Sequence, residues 1–362
     1  MNIPYTNISE ENILLREKLL NAAGRVIDHG QFINGPEVLL LEKKLSEYLG
    51  VKNVIGVSNG TAALFLSLKG LGIGKGDEVI TVGNSYLATV SSITLTGASP
   101  VLIDVDSSMN MDPNLLEKAI TSKTKAILPV HLTGKPAKIK EICEIAKKYN
   151  IPVIEDAAQA IGAEYNGKKI GSFGKTACFS LHPLKNLSAL GDGGFISTND
   201  EELAYWLKRA RNHGHPNRDE CDFWSFNMRL DTIQASFVLE KFKLLEEQTN
   251  KRRNNAKYYR EHLSKSNLIL PVEEEYELCV NHLFIIRIEN RNELQNYLKS
   301  NGIETKIHYP TPIHKLKAAL NLDFDLPKTE EYAKTILSLP IHSGLSKKNL
   351  NKIVNTINEF QK

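Results

Sequence analysis

The sequence predicts an α/β protein: a mostly parallel central sheet with helices on both faces, followed by a smaller C-terminal α/β domain. Three observations carry this. Between residues 53 and 155, short apolar strands alternate with helix-length segments, the pattern of right-handed crossovers in a parallel sheet. A long stretch rich in Lys, Glu and Leu, from Leu230 to Leu263, then separates this block from a second, shorter alternation. Polar residues of the first block fall at strand ends where helices begin, the edge at which such sheets bind ligands.

Taken in order, residues 1–50 read as an irregular lead, a helix over Asn12–Asp28 with apolar residues at helical spacing, breaks at Gly30 and Gly35-Pro36, and a helix over Glu37–Tyr48 closed by Gly50. Strands follow at Asn53–Val57, Glu78–Val82, Pro100–Val105, Ala126–Val130 and Val153–Glu155. Helices lie between them at Ala62–Leu71, Tyr86–Leu95, Leu115–Ile120 and Ile139–Tyr149. Ala177–Leu181 and Gly194–Ser197, with little helix between them, read as a hairpin-like pair at one side of the sheet. Glu201–Asn212 reads as a helix. The Leu230–Leu263 stretch is expected to break near Thr249, which divides the chain into a large domain, 1–245, and a small one, 246–362. The small domain is expected to hold strands His282–Ile288 and Glu304–His308 and helices Glu293–Ser300, Glu330–Ser338 and Lys347–Phe360.

Composition narrows the function classes. A chain of 362 residues with 41% hydrophobic and 24% charged residues can bury a large core. A net charge of +3, from 45 basic and 42 acidic residues, gives no argument for nucleic acid or a membrane surface. The four cysteines, Cys143, Cys178, Cys221 and Cys279, form no CxxC pair, so neither zinc nor a disulfide framework is expected. Met1–Tyr5 lacks a basic segment followed by an apolar run, and no apolar stretch nears the roughly 20 residues of a membrane span. A cytoplasmic location is the expectation.

Two glycine motifs are rejected. Gly72-Ile73-Gly74-Lys75-Gly76 follows a helix and precedes a strand, the reverse of what a dinucleotide site needs. Gly171–Thr176 contains a GKT, but Lys169 stands where a P-loop needs its first glycine and a strand follows. Ser58-Asn59-Gly60-Thr61 is better placed: a strand ends, a glycine permits close approach and a helix begins. Free N–H groups and the helix dipole favour a phosphate there, although a simple helix cap reads equally well. Asp156, ending a strand, fits a helix cap, a metal ligand beside His131 and His182, or the partner of a cationic ring nitrogen. Lys185, flanked by Pro183, Leu184 and Leu187, is a surface lysine or a partly buried one whose pKa falls toward a nucleophilic amine. Tyr86 is a core aromatic or a stacking ring. A Schiff-base lysine, an acid for a pyridinium nitrogen and a phosphate site at a helix start together match the requirements of pyridoxal phosphate.

At these residues the chain resembles the DegT/DnrJ/EryC1/StrS family of sugar aminotransferases, within the aspartate-aminotransferase-like fold (fold type I of pyridoxal-phosphate enzymes). The resemblance runs through Gly30–Glu37, Val57–Leu64, Pro129–Gly134, Glu155–Ala160, Ser180–Leu187, Gly191–Gly194, Arg211–Gly214, Asn227–Asp231 and His308–Pro310. It implies Lys185 as Schiff-base lysine and proton shuttle, Asp156 as pyridinium partner and Gln159 near the phenolic oxygen. It implies Gly60, Thr61 and Ser180 as phosphate ligands and Tyr86 as the stacking ring. Asn227 would reach the cofactor phosphate of a neighbouring subunit, which implies a homodimer with shared sites. Arg229 would contact a carboxylate or phosphate, or form a structural ion pair; His308 and Tyr309 would meet the sugar nucleotide. Two departures stand out: the usual Ser-Phe-His run reads Ser180-Leu181-His182, and the usual glycine two places before Asn227 is Ser225.

The function so implied is transfer of an amino group from L-glutamate to a keto sugar, with pyridoxal 5'-phosphate as cofactor and a nucleotide-linked 3-oxo-6-deoxyhexose as acceptor, in polysaccharide, glycan or deoxyaminosugar biosynthesis. The alternatives are a 4-oxo nucleotide sugar or an 8-oxo octulosonate as acceptor, a sugar dehydratase, and a non-catalytic regulatory protein that keeps the cofactor. Family dehydratases carry histidine in place of the lysine, so Lys185 favours transamination.

Overall fold

The computed structural model describes residues 2–264, 266–319 and 324–361. Three helices lead the chain: α1 (Ile8–Leu14), α2 (Arg16–His29) and α3 (Pro36–Leu49). Helix α2 buries Leu19, Ala22 and Val26 on one face and stops at Gly30, whose φ of 70° only glycine adopts without cost. Then come β1 (Asn53–Val57), α4 (Gly60–Gly70), β2 (Glu78–Val82), α5 (Leu87–Leu95), β3 (Ser99–Ile103), α6 (Pro113–Ala119), β4 (Thr124–Ile127), α7 (Ile139–Lys148) and β5 (Ile154–Asp156). Two short strands, β6 (Glu164–Tyr165) and β7 (Lys168–Lys169), precede β8 (Thr176–Ser180), β9 (Gly194–Thr198) and α8 (Glu201–Ala210). The rest is α9 (Thr232–Phe242), α10 (Leu245–His262), β10 (Glu277–Leu278), β11 (Phe284–Arg287), α11 (Arg291–Ser300), α12 (Pro327–Thr335), β12 (Ile336–Leu339) and α13 (Lys347–Phe360).

The central sheet runs β1-β9-β8-β5 and continues into β4-β2-β3 through parallel bridges from Ile127 to Val153 and from Val130 to Asp156. Only β9 runs against its neighbours. Neighbouring residues on each strand enter opposite core layers. Val54, Ile80, Ile127, Ala177 and Phe195 pack with α3, α6, α7 and α9. Ile55, Val79, Ala126, Cys178 and Ile196 pack with α4 and α8. The period-2 alternation of side chains therefore feeds two buried faces, which is why the strands read as continuous apolar runs. A third core gathers Ala256 and Tyr259 of α10 with β11, β12, α11 and α13, and it also takes in Ile3, which bridges Ile303.

Several sequence expectations shift. The Ala177–Leu181 and Gly194–Ser197 pair is antiparallel as expected, but it lies between β1 and β5 rather than at one side. The 230–263 stretch divides at Lys243-Leu244, not near Thr249, which is buried within α10. The turn there lets Leu245 enter the first core while Ala256 and Tyr259 serve the third. No single helix covers Glu330–Ser338: α12 ends at Thr335, and the fully buried Ile336–Leu339 pairs antiparallel with β11. The expected strand over Glu304–His308 reduces to one bridge, Lys306 with Ser338. The irregular lead contains α1. The small sheet β10-β6-β7 was not foreseen, because two-residue strands leave no periodicity to read.

Candidate active site

Because β1, β2, β4, β5 and β8 are mutually parallel, their carboxyl ends share one edge, and the candidate residues collect there. The turn after β1 builds an anion cradle. Asn59 caps α4, its side-chain oxygen accepting from the Ala62 N–H at 2.8 Å. The N–H groups of Gly60 and Thr61 find no acceptor among the described residues and point from the helix start. Ser180, ending β8, packs against Gly60, where an added Cβ would meet its Cβ at 3.0 Å. At Gly194 an added Cβ would lie 2.5 Å from the Asn59 carbonyl carbon, so glycine there lets β9 pass beneath the turn.

Asp156 ends β5 and is 4% exposed. Its Oδ2 accepts from the Thr89 hydroxyl at 2.8 Å, and Thr89 and Ser85 share a 2.7 Å hydroxyl contact. Its Oδ1 accepts from the Ala158 N–H at 3.2 Å. Burial raises the Asp156 carboxyl above its usual range, against the pull of Thr89, Ala158 and Lys185. The neighbouring Glu155 behaves oppositely. Burial works to raise it, but His131 and the Gly174 and Gly171 N–H groups outweigh burial and hold it low. His131 Nδ1 accepts from the Ala137 N–H at 3.0 Å, so Nε2 carries the proton and donates to Glu155 at 3.2 Å. His131 thus braces the strand end through Glu155 rather than serving Asp156.

Lys185 lies in the turn after β8, which is fixed when the Asn186 amide donates to the Val280 carbonyl at 3.1 Å. Desolvation lowers its amine to about 8, while Asp156 opposes the fall. The two side chains feel each other's charge, yet no direct ion pair joins them among the described residues. Lys185 lines a cavity of about 480 Å³ with Tyr5, Arg252, His282, Lys306 and His308.

The remaining candidates spread around this centre. Gln159 is buried, its oxygen accepting from the Thr133 N–H at 2.7 Å. Tyr86 is 57% exposed, so the core reading of that ring fails; it stands just before α5, with its centroid 5.8 Å from that of Tyr309. Burial, with Asp156 and Tyr86 adding, raises the Tyr309 phenol. His308 bonds the Ser338 hydroxyl at 2.9 Å and falls to about 4 through burial and the charges of Lys185 and Lys306. Arg229 makes no ion pair among the described residues; its Nη1 donates to Asn212 at 2.8 Å and its buried Nε has no acceptor. Asn227 is exposed and its side chain has no hydrogen bond among the described residues. Thr89, His282 and Arg252 were missed from sequence. Thr89 follows Tyr86 by three residues, within reach of a helix-spacing argument, whereas nothing local marks the other two.

These residues fit pyridoxal phosphate. Orphan N–H donors at Gly60 and Thr61 meet the Ser180 hydroxyl as a phosphate cradle. A buried carboxyl group and a desolvated amine, coupled by charge without an ion pair, offer partners for the ring nitrogen and the aldehyde of such a cofactor.

The model of the DegT/DnrJ/EryC1/StrS aminotransferase family matches residues 14–358. A pleiotropic regulatory protein of Geobacillus stearothermophilus is 40% identical, the match covering 99% of each chain. A dTDP-3-amino-3,6-dideoxy-alpha-D-galactopyranose transaminase of Aneurinibacillus thermoaerophilus is 42% identical, again over 99% of each chain. The solved structure of S. venezuelae DesV in complex with a ketimine intermediate superposes with a TM-score of 0.98 at 36% identity, covering 100% of this chain and 99% of that one. Other solved structures of this fold are in PMP and PLP forms. Among the described residues no helix is long and apolar enough to cross a membrane.

Proposed function

The chain belongs to the DegT/DnrJ/EryC1/StrS aminotransferase family, and from that premise we propose that it moves an amino group from L-glutamate to a nucleotide-linked 3-oxo sugar. Its cofactor is pyridoxal 5'-phosphate. The observation that carries the reading is the pairing of Lys185 with Asp156: an amine lowered to about 8 and a buried carboxylate, coupled by charge but not in contact. The 3-oxo acceptor rests on the Aneurinibacillus relative, whose name specifies a 3-amino product.

Bound pyridoxal phosphate supplies the electron sink that makes a substrate C–H bond acidic. The protein supplies the rest. Gly60, Thr61 and Ser180 would hold the phosphate, and Tyr86 would stack on the ring. Asp156, braced by Thr89, would keep a proton on the ring nitrogen. Lys185 takes the proton from the donor α-carbon and returns one to the sugar carbon; an amine near neutrality serves both directions. Gln159 is placed for the phenolic oxygen, and His308, Tyr309 and Arg229 for the sugar nucleotide.

We read the functional unit as a homodimer. Exposed Asn227 stands beside exposed Trp224 and Phe226, and α2 and α3 with the turn between them expose Leu20, Ile27, Phe32, Ile33, Leu39 and Leu40. Apolar surface on this scale favours a second copy, which would receive Asn227 at its phosphate cradle. Residues 1–245 and 246–362 serve as large and small units on this reading.

The Geobacillus relative favours a second reading, a regulatory protein that keeps the cofactor without turnover. Incubation with L-glutamate and matched 3-oxo and 4-oxo nucleotide sugars separates the readings. Formation of 2-oxoglutarate with a 3-amino sugar supports the first. Retention of cofactor without either product supports the second, and a 4-amino product overturns the acceptor.

A further inference from the structure

Helix α10 carries three arginines, and two are spoken for. Arg253 and Arg260 both donate to Glu273, Arg260 at 2.9 Å. Arg252 is different. It lines the cavity shared with Lys185, and among the described residues it has neither a hydrogen bond nor an ion pair. Glu11 and Tyr5 act on it only through space. The acids of the same cavity are already engaged by neutral donors: Glu11 accepts from the Ser343 hydroxyl at 2.9 Å and Glu304 from the Tyr5 N–H at 3.1 Å. Lys306, which lines the same cavity, is also without an ion pair among the described residues. The nearby imidazoles of His282, His308 and His342 are held neutral by burial and by surrounding cations, so they do not compete for an anion by charge. A half-buried guanidinium that stays charged, lines a cavity and has no partner of its own is placed to take an anion.

Resting on the aminotransferase reading, we propose that Arg252, supported by Lys306, is the subsite for the oxyanion group of a substrate seated against Lys185. The shared chemistry is a carboxylate or phosphate taken by the guanidinium fork. Its two sources are the free carboxylate of the amino donor and the diphosphate of the nucleotide sugar.

The test uses the full-length, cofactor-loaded protein, with Arg252→Gln, Arg252→Lys and wild type compared. Calorimetric binding of glutarate probes the donor source and binding of dTDP the nucleotide source. Arg252→Gln is expected to weaken one of the two by about ten- to a hundredfold, the range for loss of a charge-assisted contact. Arg252→Lys restores part of the affinity, and thermal melting stays near wild type. The matching Michaelis constant, for L-glutamate or for the sugar nucleotide, rises with little change in kcat. Equal affinities of wild type and Arg252→Gln for both probes overturn the proposal, as does a wild type that binds neither. The binding readout does not depend on turnover. Failure of the aminotransferase reading shows separately, as a wild type that forms no 2-oxoglutarate from L-glutamate.

Discussion

Thr89 donates its hydroxyl to Oδ2 of Asp156 at 2.8 Å, and both side chains are buried. The bond places α5 in direct mechanical contact with the end of β5. Thr89→Val keeps the shape and leaves one carboxylate oxygen without its donor, a loss of about 1–3 kcal/mol. The expected outcome is a cofactor dissociation constant raised by about tenfold or more, read by equilibrium dialysis. An unchanged constant would show that Thr89 plays no part in holding Asp156.

Lys185 gives a pH prediction. Its amine attacks only when neutral, and desolvation brings it to about 8 from 10.5. The rate at which added pyridoxal phosphate forms its bond to cofactor-free protein should rise with pH and level off above about 8. Stopped-flow absorbance checks this. A rate still rising toward 10.5, the value for an unburied lysine, contradicts the desolvated site.

Gly60 tests the phosphate cradle. An added Cβ meets the Ser180 Cβ at 3.0 Å and its Oγ at 3.4 Å. Gly60→Ala should push Ser180 from the cradle and weaken cofactor binding by about tenfold, with a stability change of about 1 kcal/mol or less in the cofactor-free protein. Parallel melting curves with and without cofactor separate the two effects. Equal cofactor-induced stabilisation in both proteins argues against a phosphate at this turn.

Asn227 tests the shared site. If it serves the partner's cradle, Lys185→Ala and Asn227→Ala chains, each impaired alone, form mixed dimers with one intact site. Random pairing of equal amounts leaves about a quarter of all sites whole. Recovery near that fraction of wild-type turnover is expected after co-refolding or co-expression. Turnover no higher than the sum of the separate variants places Asn227 in its own chain's site or outside it.

Much of the sheet was legible because its strands are short, apolar and regularly spaced: β1 and β2 match their expected limits. The residues at strand ends were legible for the same reason, since topology alone sends Gly60, Asp156 and Ser180 to one edge. The small unit was harder. Ile336–Leu339 continues a helix in sequence but pairs with β11 and is buried by the first core at Ile336 and the third core at Leu337 and Leu339, and that burial is set by tertiary packing, not local pattern. The break at Lys243-Leu244 lacks glycine or proline, so nothing local announced it. Arg252 was invisible because the sequence shows three arginines on one helix and not which two Glu273 satisfies.

The most direct measurement is the visible spectrum of the purified, cofactor-loaded protein as L-glutamate is added. The absorption of the Lys185 Schiff base should fade while 2-oxoglutarate appears in equal amount, and Lys185→Ala should show neither the band nor the product. A wild type without the band, or a band that persists unchanged in Lys185→Ala, would contradict the assignment of Lys185 and with it the reaction built on its pairing with Asp156.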